Sequence, residues 1–401
     1  MRSSRATVVV MSCVLLYNAG ARAQEAVDPV NAPQERLVWR PSLALTNLGY
    51  DSNVFNRDVL PQGDFFAAIE GRLRPIWQVS DATLTADTGL TYNYFHEFVS
   101  ERGIDATARG RLEFPISLVR LHVSGSYQNL RQRVNFEIDQ RARRTDADVT
   151  TGFDLSLGGH MKVGLQLRRL RVNFDDDGLG NASLRYTLNR TERGGGANLQ
   201  YAITPLTTFV ATGDVSEQEF EYSTNRNGER TKLGAGLTFS SGALVTGQSF
   251  IGWQRLTVPD SLVSSFSGLV GLVDLTVPVG SGTRFGGRLG RDVQFSADEV
   301  LTYYVENRFG GSVIQAFGER WEAGVRAERI ILDYASPSGE AEVTGYREHL
   351  DLLGSSLAYR FAGGLRIGVD VEIWQRRDEN ITRRSYNTRR VFTSISRPLG
   401  F

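Results

Sequence analysis

In the stretch LRIGVDVEIW, residues 365–374, two different kinds of side chain occupy alternate positions. The odd-numbered positions are all apolar: Leu365, Ile367, Val369, Val371 and Ile373. Three of the even-numbered positions are charged: Arg366, Asp370 and Glu372. Successive side chains of an extended chain point to opposite faces. The pattern therefore predicts a β-strand with one apolar face and one face that needs water.

The same alternation recurs along the chain, for example in VTTGFDLSL, residues 149–157. No segment with a helical period is present to cover the apolar faces, which favours a closed sheet. We count eighteen alternating segments, with sixteen as the next best count. The predicted segments are 40–56, 65–78, 82–98, 104–115, 119–134, 143–157, 161–174, 184–203, 206–222, 229–240, 243–257, 263–277, 282–295, 299–314, 320–334, 343–359, 364–377 and 386–401.

The connections between these segments alternate between tight turns and longer polar loops. Tight turns are predicted around residues 80–81, 158–160 and 278–281, and longer loops at 57–64, 135–142 and 335–342. Short periplasmic turns, longer extracellular loops and an even strand number are typical of outer-membrane barrels. The sequence therefore predicts an all-β fold, a transmembrane antiparallel up-and-down β-barrel with both termini on the periplasmic side.

A soluble all-β propeller or solenoid is the alternative fold. It is less favoured because the charged faces need water, which a wide lumen supplies, and because Gly and Ala on the apolar faces suit lipid better than a dense core. Aromatic residues also fall into two sets, as at two membrane interfaces. Those near tight turns are Trp77, Phe114, Tyr201, Phe239, Trp321 and Tyr359, and those toward longer loops are Tyr94, Phe174, Trp253 and Trp374.

Residues 1–23 have the order of a secretory signal peptide: arginines, an apolar run, and Ala21-Arg22-Ala23 before Gln24. Residues 10–13 loosely resemble a lipobox ending at Cys13, so a lipoprotein signal is a weaker alternative. Cleavage would leave a short periplasmic segment, 24–36, and a barrel, 37–401, without cysteine and with 42 basic against 45 acidic residues. This balance argues against a nucleic-acid partner. The predicted location is the outer membrane of a Gram-negative bacterium, with its lipid as a partner.

The polar faces of the predicted strands supply candidate lumen-lining residues. They are Glu70, Arg72, Arg74, Asp105, Arg109, Arg111, Glu113, Arg326, Glu328, Arg366, Asp370 and Glu372, and Glu322 shares the face of Arg326. Both signs of charge occur throughout, so strong selection of one ion is not expected. Barrels of 16 to 18 strands can leave an aqueous channel, which favours passive conduction.

Enzymatic motifs are sparse, and no cofactor or metal is expected. The four histidines show no metal-ligand spacing, and no phosphate loop, EF-hand or dinucleotide motif is present. Three carboxylates in DDDG, residues 175–178, could hold a divalent cation, but a solvated loop is the simpler interpretation. The chain is therefore predicted not to be an enzyme.

Two short stretches resemble known families. The terminal VFTSISRPLGF, residues 391–401, resembles the C-terminal signature that outer-membrane barrels present to the assembly machinery, although Arg397 and Pro398 depart from it. GYDSNVFNRD, residues 49–58, resembles the early motif of the Putative beta-barrel porin 2 family. This resemblance implies a pore, often associated with exopolysaccharide export, and hence polysaccharide and export-system proteins as partners. Within the motif, Asp51 and Asn53 are either solute contacts at the mouth or turn-forming residues.

Three functions remain open from the sequence. The first is a passive channel, in its finer form an outer-membrane conduit for exopolysaccharide. The second is a structural or adhesive barrel whose lumen is occluded by loops. The third is a hydrolase at the barrel rim, which would need a nucleophile or activated water beside a base.

Overall fold

A computed structural model of the protein describes residues 36–133, 135–139, 141–175, 178–179, 182–258, 265–298, 301–335, 346–378 and 385–398. Almost every element is a β-strand. The strands are β1 Arg36–Val38, β2 Pro41–Asp51, β3 Asp64–Leu73, β4 Ile76–Val79, β5 Ala82–Phe95, β6 Gly103–Ile116, β7 Val119–Arg133, β8 Arg141–Leu157, β9 Met161–Phe174, β10 Gly178–Leu179, β11 Ala182–Ser183, β12 Arg190–Thr204, β13 Thr207–Phe220, β14 Gly228–Phe239, β15 Thr246–Thr257, β16 Phe266–Val279, β17 Thr283–Phe295, β18 Tyr303–Phe317, β19 Trp321–Tyr334, β20 Arg347–Arg360, β21 Arg366–Asp378 and β22 Tyr386–Pro398. One short α-helix, α1 Leu184–Leu188, and two 3₁₀ turns, Val99–Glu101 and Thr224–Arg226, lie in the connections.

The sheet closes on itself. Each long strand pairs antiparallel with the next one in sequence, and β22 pairs with β2, from Pro398 opposite Ser42 to Arg390 opposite Asp51. Because β1 and β4 continue β2 and β3 after a short break, the 20 segments of the sheet form 18 barrel strands. The predicted all-β, 18-stranded barrel is therefore confirmed.

Connections at the two ends of the barrel differ in length, as the sequence predicts. Those at one end, the turn end, contain two to six residues, and those at the other, the loop end, contain seven to fifteen. Gly158 and Gly280 adopt φ angles of 68° and 62° in the turns after β8 and β16. A side chain disfavours this left-handed conformation, so glycine permits these tight turns.

The outward face of each strand carries an apolar band. On β21, Val369, Val371 and Ile373 point outward and are 42%, 38% and 41% exposed, whereas Asp370 and Glu372 point into the barrel. Exposed apolar side chains in a belt around a closed sheet fit hydrocarbon better than water. Within the described residues, no helix is both long and apolar enough to cross a membrane.

Near the loop end, the apolar and polar faces exchange. On β9, Leu165 and Leu167 point outward and are exposed, but Leu170, Val172 and Phe174 point inward and are 5%, 0% and 3% exposed. Two clusters of buried apolar side chains fill this part of the interior. The first includes Ile138, Leu170, Val172, Phe220, Leu256 and Phe295, and the second includes Phe136, Tyr304, Ile330, Leu332, Leu350 and Trp374.

This exchange corrects part of the predicted aromatic girdle. Tyr94 and Trp253 are 38% and 39% exposed on the outward face, but Phe174 and Trp374 are 3% and 5% exposed in the interior. An alternating pattern alone does not tell which face meets which solvent once the strand leaves the membrane. Phe174 and Trp374 therefore pack inside the barrel and do not lie at a lipid interface.

Residues 184–188 form α1 and do not form the predicted start of a strand, which begins at Arg190. This helix covers the loop-end interior, where Leu184 and Leu188 are 1% and 3% exposed. Several predictions fall outside the described residues: the signal peptide 1–23, nearly all of segment 24–36, the terminal Phe401, and residues 176 and 177 of the acidic loop.

Candidate functional site: a charged cavity beside an inner hairpin

The ends of β7 and β8, with residues 135–139 between them, form what we call the inner hairpin. Pairing between β6 and β7 stops at Asn129, whereas β7 remains paired with β8 as far as Arg133. The ring of Phe136 then lies 6.4 Å from that of Trp374 on β21, measured between centroids. The hairpin therefore leaves the barrel wall and lies in the interior.

One side of the inner hairpin is apolar. Ile138 and Ala142 are 1% and 0% exposed and belong to the first buried cluster, beside Val172 and Phe174 of β9. Burial of apolar side chains is favourable at roughly 25 cal/mol per Å² of surface removed from water. This packing fixes the hairpin against one half of the barrel and fills that half near the loop end.

Glu137, at the tip of the hairpin, anchors it to the connection between β17 and β18. Its side chain is 2% exposed, and its Oε2 accepts a hydrogen bond from the backbone N–H of Ala297 at 2.8 Å. Its Oε1 accepts a hydrogen bond from the Ser296 hydroxyl. A buried carboxylate needs such partners because its charge is costly to remove from water.

Arg376 of β21 holds the hairpin from another side. Its guanidinium is 1% exposed and donates to Asp139 Oδ2 at 2.8 Å and to the carboxylate of Glu348. Tyr334 donates to Glu348 Oε2 at 3.3 Å. The network joins the hairpin to β19, β20 and β21.

Arg226, in the connection between β13 and β14, is held by a comparable set of hydrogen bonds. It is 2% exposed and donates to the backbone carbonyls of Thr187, Ser296 and Thr302 at 2.7, 2.8 and 3.1 Å. These bonds tie α1 to the segment that also receives Glu137. Three loop-end connections thus support one another inside the barrel.

The other side of the inner hairpin faces a cavity of about 260 Å³. Its charged lining comprises five carboxylates and five guanidinium groups, which balance one another. They are Asp51, Asp105, Asp139, Asp370, Glu372, Arg131, Arg133, Arg141, Arg326 and Arg390. Six aromatic rings lie among them: Phe66, Phe95, Phe136, Trp374, Tyr386 and Phe392.

The hairpin contributes the arginines on its side of the cavity. Arg131 and Arg141 donate from Nε to Glu101 Oε2 at 3.2 and 3.1 Å. Asp105 of β6 accepts the backbone N–H of Arg131 at 2.8 Å. Arg133 donates to the carbonyl of Val54 at 2.6 Å. The guanidinium groups are therefore held in place by the adjoining connections.

The barrel wall contributes most of the carboxylates. Asp51 accepts from Arg390 Nε at 2.9 Å and from the Thr388 hydroxyl at 2.7 Å, across the seam between β2 and β22. Glu372 pairs with Arg326 and accepts from the indole N–H of Trp374 at 2.9 Å. These ion pairs lie among partly buried side chains, so the cavity presents fixed dipoles and few unpaired charges.

A row of aromatic side chains crosses the barrel wall next to Asp51, on the side toward the turn end. Phe392, Gly49, Phe66 and Phe95 lie directly opposite one another on β22, β2, β3 and β5. The Phe66 ring lies 4.9 Å from that of Phe392 and 5.3 Å from that of Phe95. A Cβ on Gly49 would lie 1.8 Å from the Val391 carbonyl oxygen, so only glycine fits this close to the backbone of β22.

The sequence-predicted lumen residues lie on the inward face of a strand, except for Arg74, which lies in the break between β3 and β4 and donates to Asp87 of β5 at 3.0 Å. Several are ion-paired: Glu70 with Arg72 at 3.0 Å, Arg111 with Glu113 at 2.6 Å, and Glu328 with Arg308 at 3.0 Å. Asp105, Arg326, Asp370 and Glu372 also line the cavity. The remaining ones lie elsewhere in the interior: Glu70, Arg72, Arg74, Arg109, Arg111, Glu113, Glu328 and Arg366.

The two proposed mouth residues differ in position. Asp51 lines the cavity, although its oxygens are occupied by Arg390, Thr388 and the N–H of Asn53. Asn53 is 0% exposed, donates to the carbonyl of Arg57 at 2.7 Å and accepts its N–H at 2.9 Å. The Asn53 amide is thus bonded through both its nitrogen and its oxygen to the backbone of Arg57 in the connection after β2.

The hairpin residues that build the site are not predicted by the sequence pattern, because residues 135–142 are predicted to form an external polar loop. One signal was available in NFEID, residues 135–139. Apolar Phe136 and Ile138 alternate with polar residues, a pattern that indicates one buried face and is not expected of a loop exposed to water. No group of three or more His, Cys, Asp or Glu side chains in the described part of the chain could hold a metal ion.

A protein-family model described as Putative beta-barrel porin 2 matches residues 37–397. The chain belongs to this family. The match covers nearly all of the described barrel, so the family assignment made on residues 49–58 is confirmed. No curated protein matches this porin 2 chain.

Solved structures with a similar fold include a protein described as an outer membrane protein, OpdK. OpdK of Pseudomonas aeruginosa, crystallised with vanillate, has a TM-score of 0.52 and 12% identity, over 90% of this chain and 98% of that chain. OccAB4 of Acinetobacter baumannii has a TM-score of 0.50 and 12% identity, over 92% and 99%. At this identity the similarity establishes the fold. The porin 2 chain is thus a porin-type barrel of the outer membrane.

Proposed function

We propose that the protein is a passive outer-membrane channel whose path runs through the charged lumen and the cavity beside the inner hairpin. The observation that carries this proposal is the cavity itself, because the hairpin fills one half of the interior and leaves space along the opposite wall. Hydrated charged side chains can line a path for water and small solutes. Because the longer loops of outer-membrane barrels are extracellular, the loop end faces the cell exterior.

The cavity chemistry favours uncharged, hydroxylated solutes. Its ten charged groups balance in sign, so neither cations nor anions are strongly preferred. The Phe66, Phe95 and Phe392 rings offer apolar surface beside hydrogen-bonding groups, a combination that suits a sugar. A saccharide is therefore our proposed cargo class, and export of an exopolysaccharide is its finer form. Passage of a polymer would require the inner hairpin to move.

Conductance of the purified protein in planar bilayers tests the channel proposal. Asp370 makes no ion pair with any described residue and lines the cavity, so Asp370→Cys offers an attachment point in the path. The chain's single cysteine is Cys13, within the predicted signal peptide. We expect a bulky thiol reagent to reduce the current of this variant. Asp81→Cys, in the exposed turn between β4 and β5, is the matched control and should conduct unchanged.

A folded barrel without conductance under any condition would reject the channel. Conductance that is insensitive to labelling at Asp370 would instead place the path elsewhere. For the finer proposal, a deletion strain should lose secretion of its polymer. Normal secretion in that strain would remove exopolysaccharide export while leaving the channel for small solutes intact.

A structural or adhesive barrel is the second candidate. The two buried clusters and the Arg376 network close much of the loop end, which supports an occluded lumen. This candidate predicts no conductance, normal polymer secretion and loss of surface attachment in the deletion strain.

A further inference from the structure

We propose that the outer rim at β9, β12 and α1 is a binding site for the phosphorylated sugar headgroup of an outer-leaflet glycolipid. The site is on the outside of the barrel and is independent of the conducting path. It consists of Arg169, Arg171 and Arg193, a recess above them, and a pair of tyrosines at its edge.

Arginine follows the apolar band on many strands at the loop end. It is the first polar outward residue beyond the band on six strands: Arg169, Arg193, Arg255, Arg291, Arg329 and Arg389. At the turn end, outward positions are mainly aromatic or aliphatic, such as Tyr201, Phe317 and Trp321. Arginine is therefore concentrated at the level of the outer-leaflet headgroups, where Arg329 and Arg193 are ion-paired with Asp351 and Glu219.

The densest part of this arginine rim lies on β9 and β12. Arg169 and Arg193 are directly opposite each other in the sheet, and Arg171 is the next outward residue on β9. Like charges in this position destabilise a strand pair. Arg193 has an acidic partner, Glu219, at 3.3 Å, but Arg169 forms no ion pair within the described residues. An anion between the two guanidinium groups would remove the repulsion.

A recess of about 450 Å³ lies beside these arginines. It is lined by Arg171, Asn173, Phe174, Asp175, Arg185, Asn189 and Glu221. Guanidinium groups bind phosphate through two parallel hydrogen bonds, and an amide can bond a hydroxyl group. Arg171 and Arg185 supply the guanidinium groups and Asn173 the amide, since Asn189 is 4% exposed and already bonded to Phe174 and Glu221. Both types are needed to hold a sugar phosphate.

Two tyrosines flank the recess, one from α1 and one from the connection between β13 and β14. Tyr186 and Tyr222 are 51% and 38% exposed, with ring centroids 4.8 Å apart. Arg185 donates to the Tyr222 hydroxyl at 2.7 Å, which positions its guanidinium beside the ring. Exposed tyrosines with an apolar face and a polar tip suit sugar rings at a membrane surface. Charge and shape together therefore select a phosphorylated glycolipid.

The test measures binding of a bisphosphorylated glucosamine-disaccharide lipid to the folded full-length protein in detergent micelles, by native mass spectrometry. Replacement of all three arginines, Arg169→Gln, Arg171→Gln and Arg193→Gln, should weaken binding about tenfold or more. The matched control removes the same charge elsewhere on the rim: Arg255→Gln, Arg291→Gln and Arg389→Gln. It should change binding by less than about threefold, since those arginines are not clustered.

Two further arms identify the ligand source. The same lipid without phosphates should bind weakly to all variants, and inorganic phosphate alone should not bind detectably. If instead phosphate binds alone, the site recognises a free anion and the proposal fails. It also fails if both triple variants lose affinity equally, or if the lipid without phosphates binds as tightly. If a triple variant does not fold, binding to the parent protein should still fall with added salt, and salt-independent binding would overturn the proposal.

Discussion

Substitution of Glu137 by alanine should release the inner hairpin from the segment after β17. The buried carboxylate accepts two hydrogen bonds, from the Ser296 hydroxyl and from the Ala297 N–H. Hydrogen bonds to a charged group each contribute about 1.5–3 kcal/mol. Loss of both shifts the balance toward a released hairpin by about 3–6 kcal/mol, or roughly a hundredfold to ten-thousandfold in population.

A released hairpin would widen the cavity, so we expect a larger mean single-channel conductance and more current noise in planar bilayers. Glu137→Gln, which keeps the shape and one acceptor oxygen, should fall between the parent and Glu137→Ala. Glu229→Ala is the control, since Glu229 is exposed on the outward face of β14. Resistance to detergent unfolding should first establish that each barrel is closed.

Identical conductance levels and noise for folded Glu137→Ala and the parent protein would refute the reasoning. The hairpin would then be fixed by its apolar side alone, and the carboxylate would have no part in the width of the path. Loss of folding in Glu137→Ala but not in Glu137→Gln would equally contradict the expectation, since it would assign the anchor to barrel stability.

Three further predictions concern the barrel itself. Gly49→Ala should lower the midpoint of thermal unfolding by several degrees, because its Cβ would lie 1.8 Å from the Val391 carbonyl oxygen; an unchanged midpoint would contradict the close approach. Arg376→Ala should cost about 3–5 kcal/mol in urea unfolding by removing the guanidinium that compensates the buried charge of Glu348, whereas the double variant with Glu348→Ala should recover part of this, and no recovery would argue against the pair. Val325→Arg should destabilise the folded barrel by about 2–4 kcal/mol in lipid vesicles, because Val325 is 56% exposed within the apolar band; an unaffected barrel would mean that this face does not meet hydrocarbon.

The sequence predicted the barrel because its signal is repeated. Each strand alternates as residues 365–374 do, and errors in one segment do not affect the closure of the whole sheet. The inward placement of charged residues such as Arg111 and Glu372 follows from the same alternation. Strand ends were harder to predict, as residues 184–188 illustrate, since Leu184 and Leu188 suit either a buried strand or a short helix.

The cavity could not be predicted from alternation alone. Leu170, Val172 and Phe174 continue the period of β9 but belong to the interior, because the strand has left the membrane and its outward face now meets water. The arginines of the inner hairpin acquire their roles from partners distant in sequence, such as Glu101 for Arg141. Such pairings depend on how far each hairpin leans inward, which no local pattern specifies.

The seam between the first and last barrel strands has a consequence for biogenesis. The Thr388 hydroxyl and the Asp51 carboxylate that it bonds are 337 positions apart in the chain. Contacts of such long range form late, because the entropy of ordering the intervening chain is lost first. A nascent polypeptide that lacks β22 would keep two unpaired strand edges, which invite aggregation and proteolysis. Pairing of β22 with β2 therefore decides whether the new chain becomes a stable barrel or is degraded.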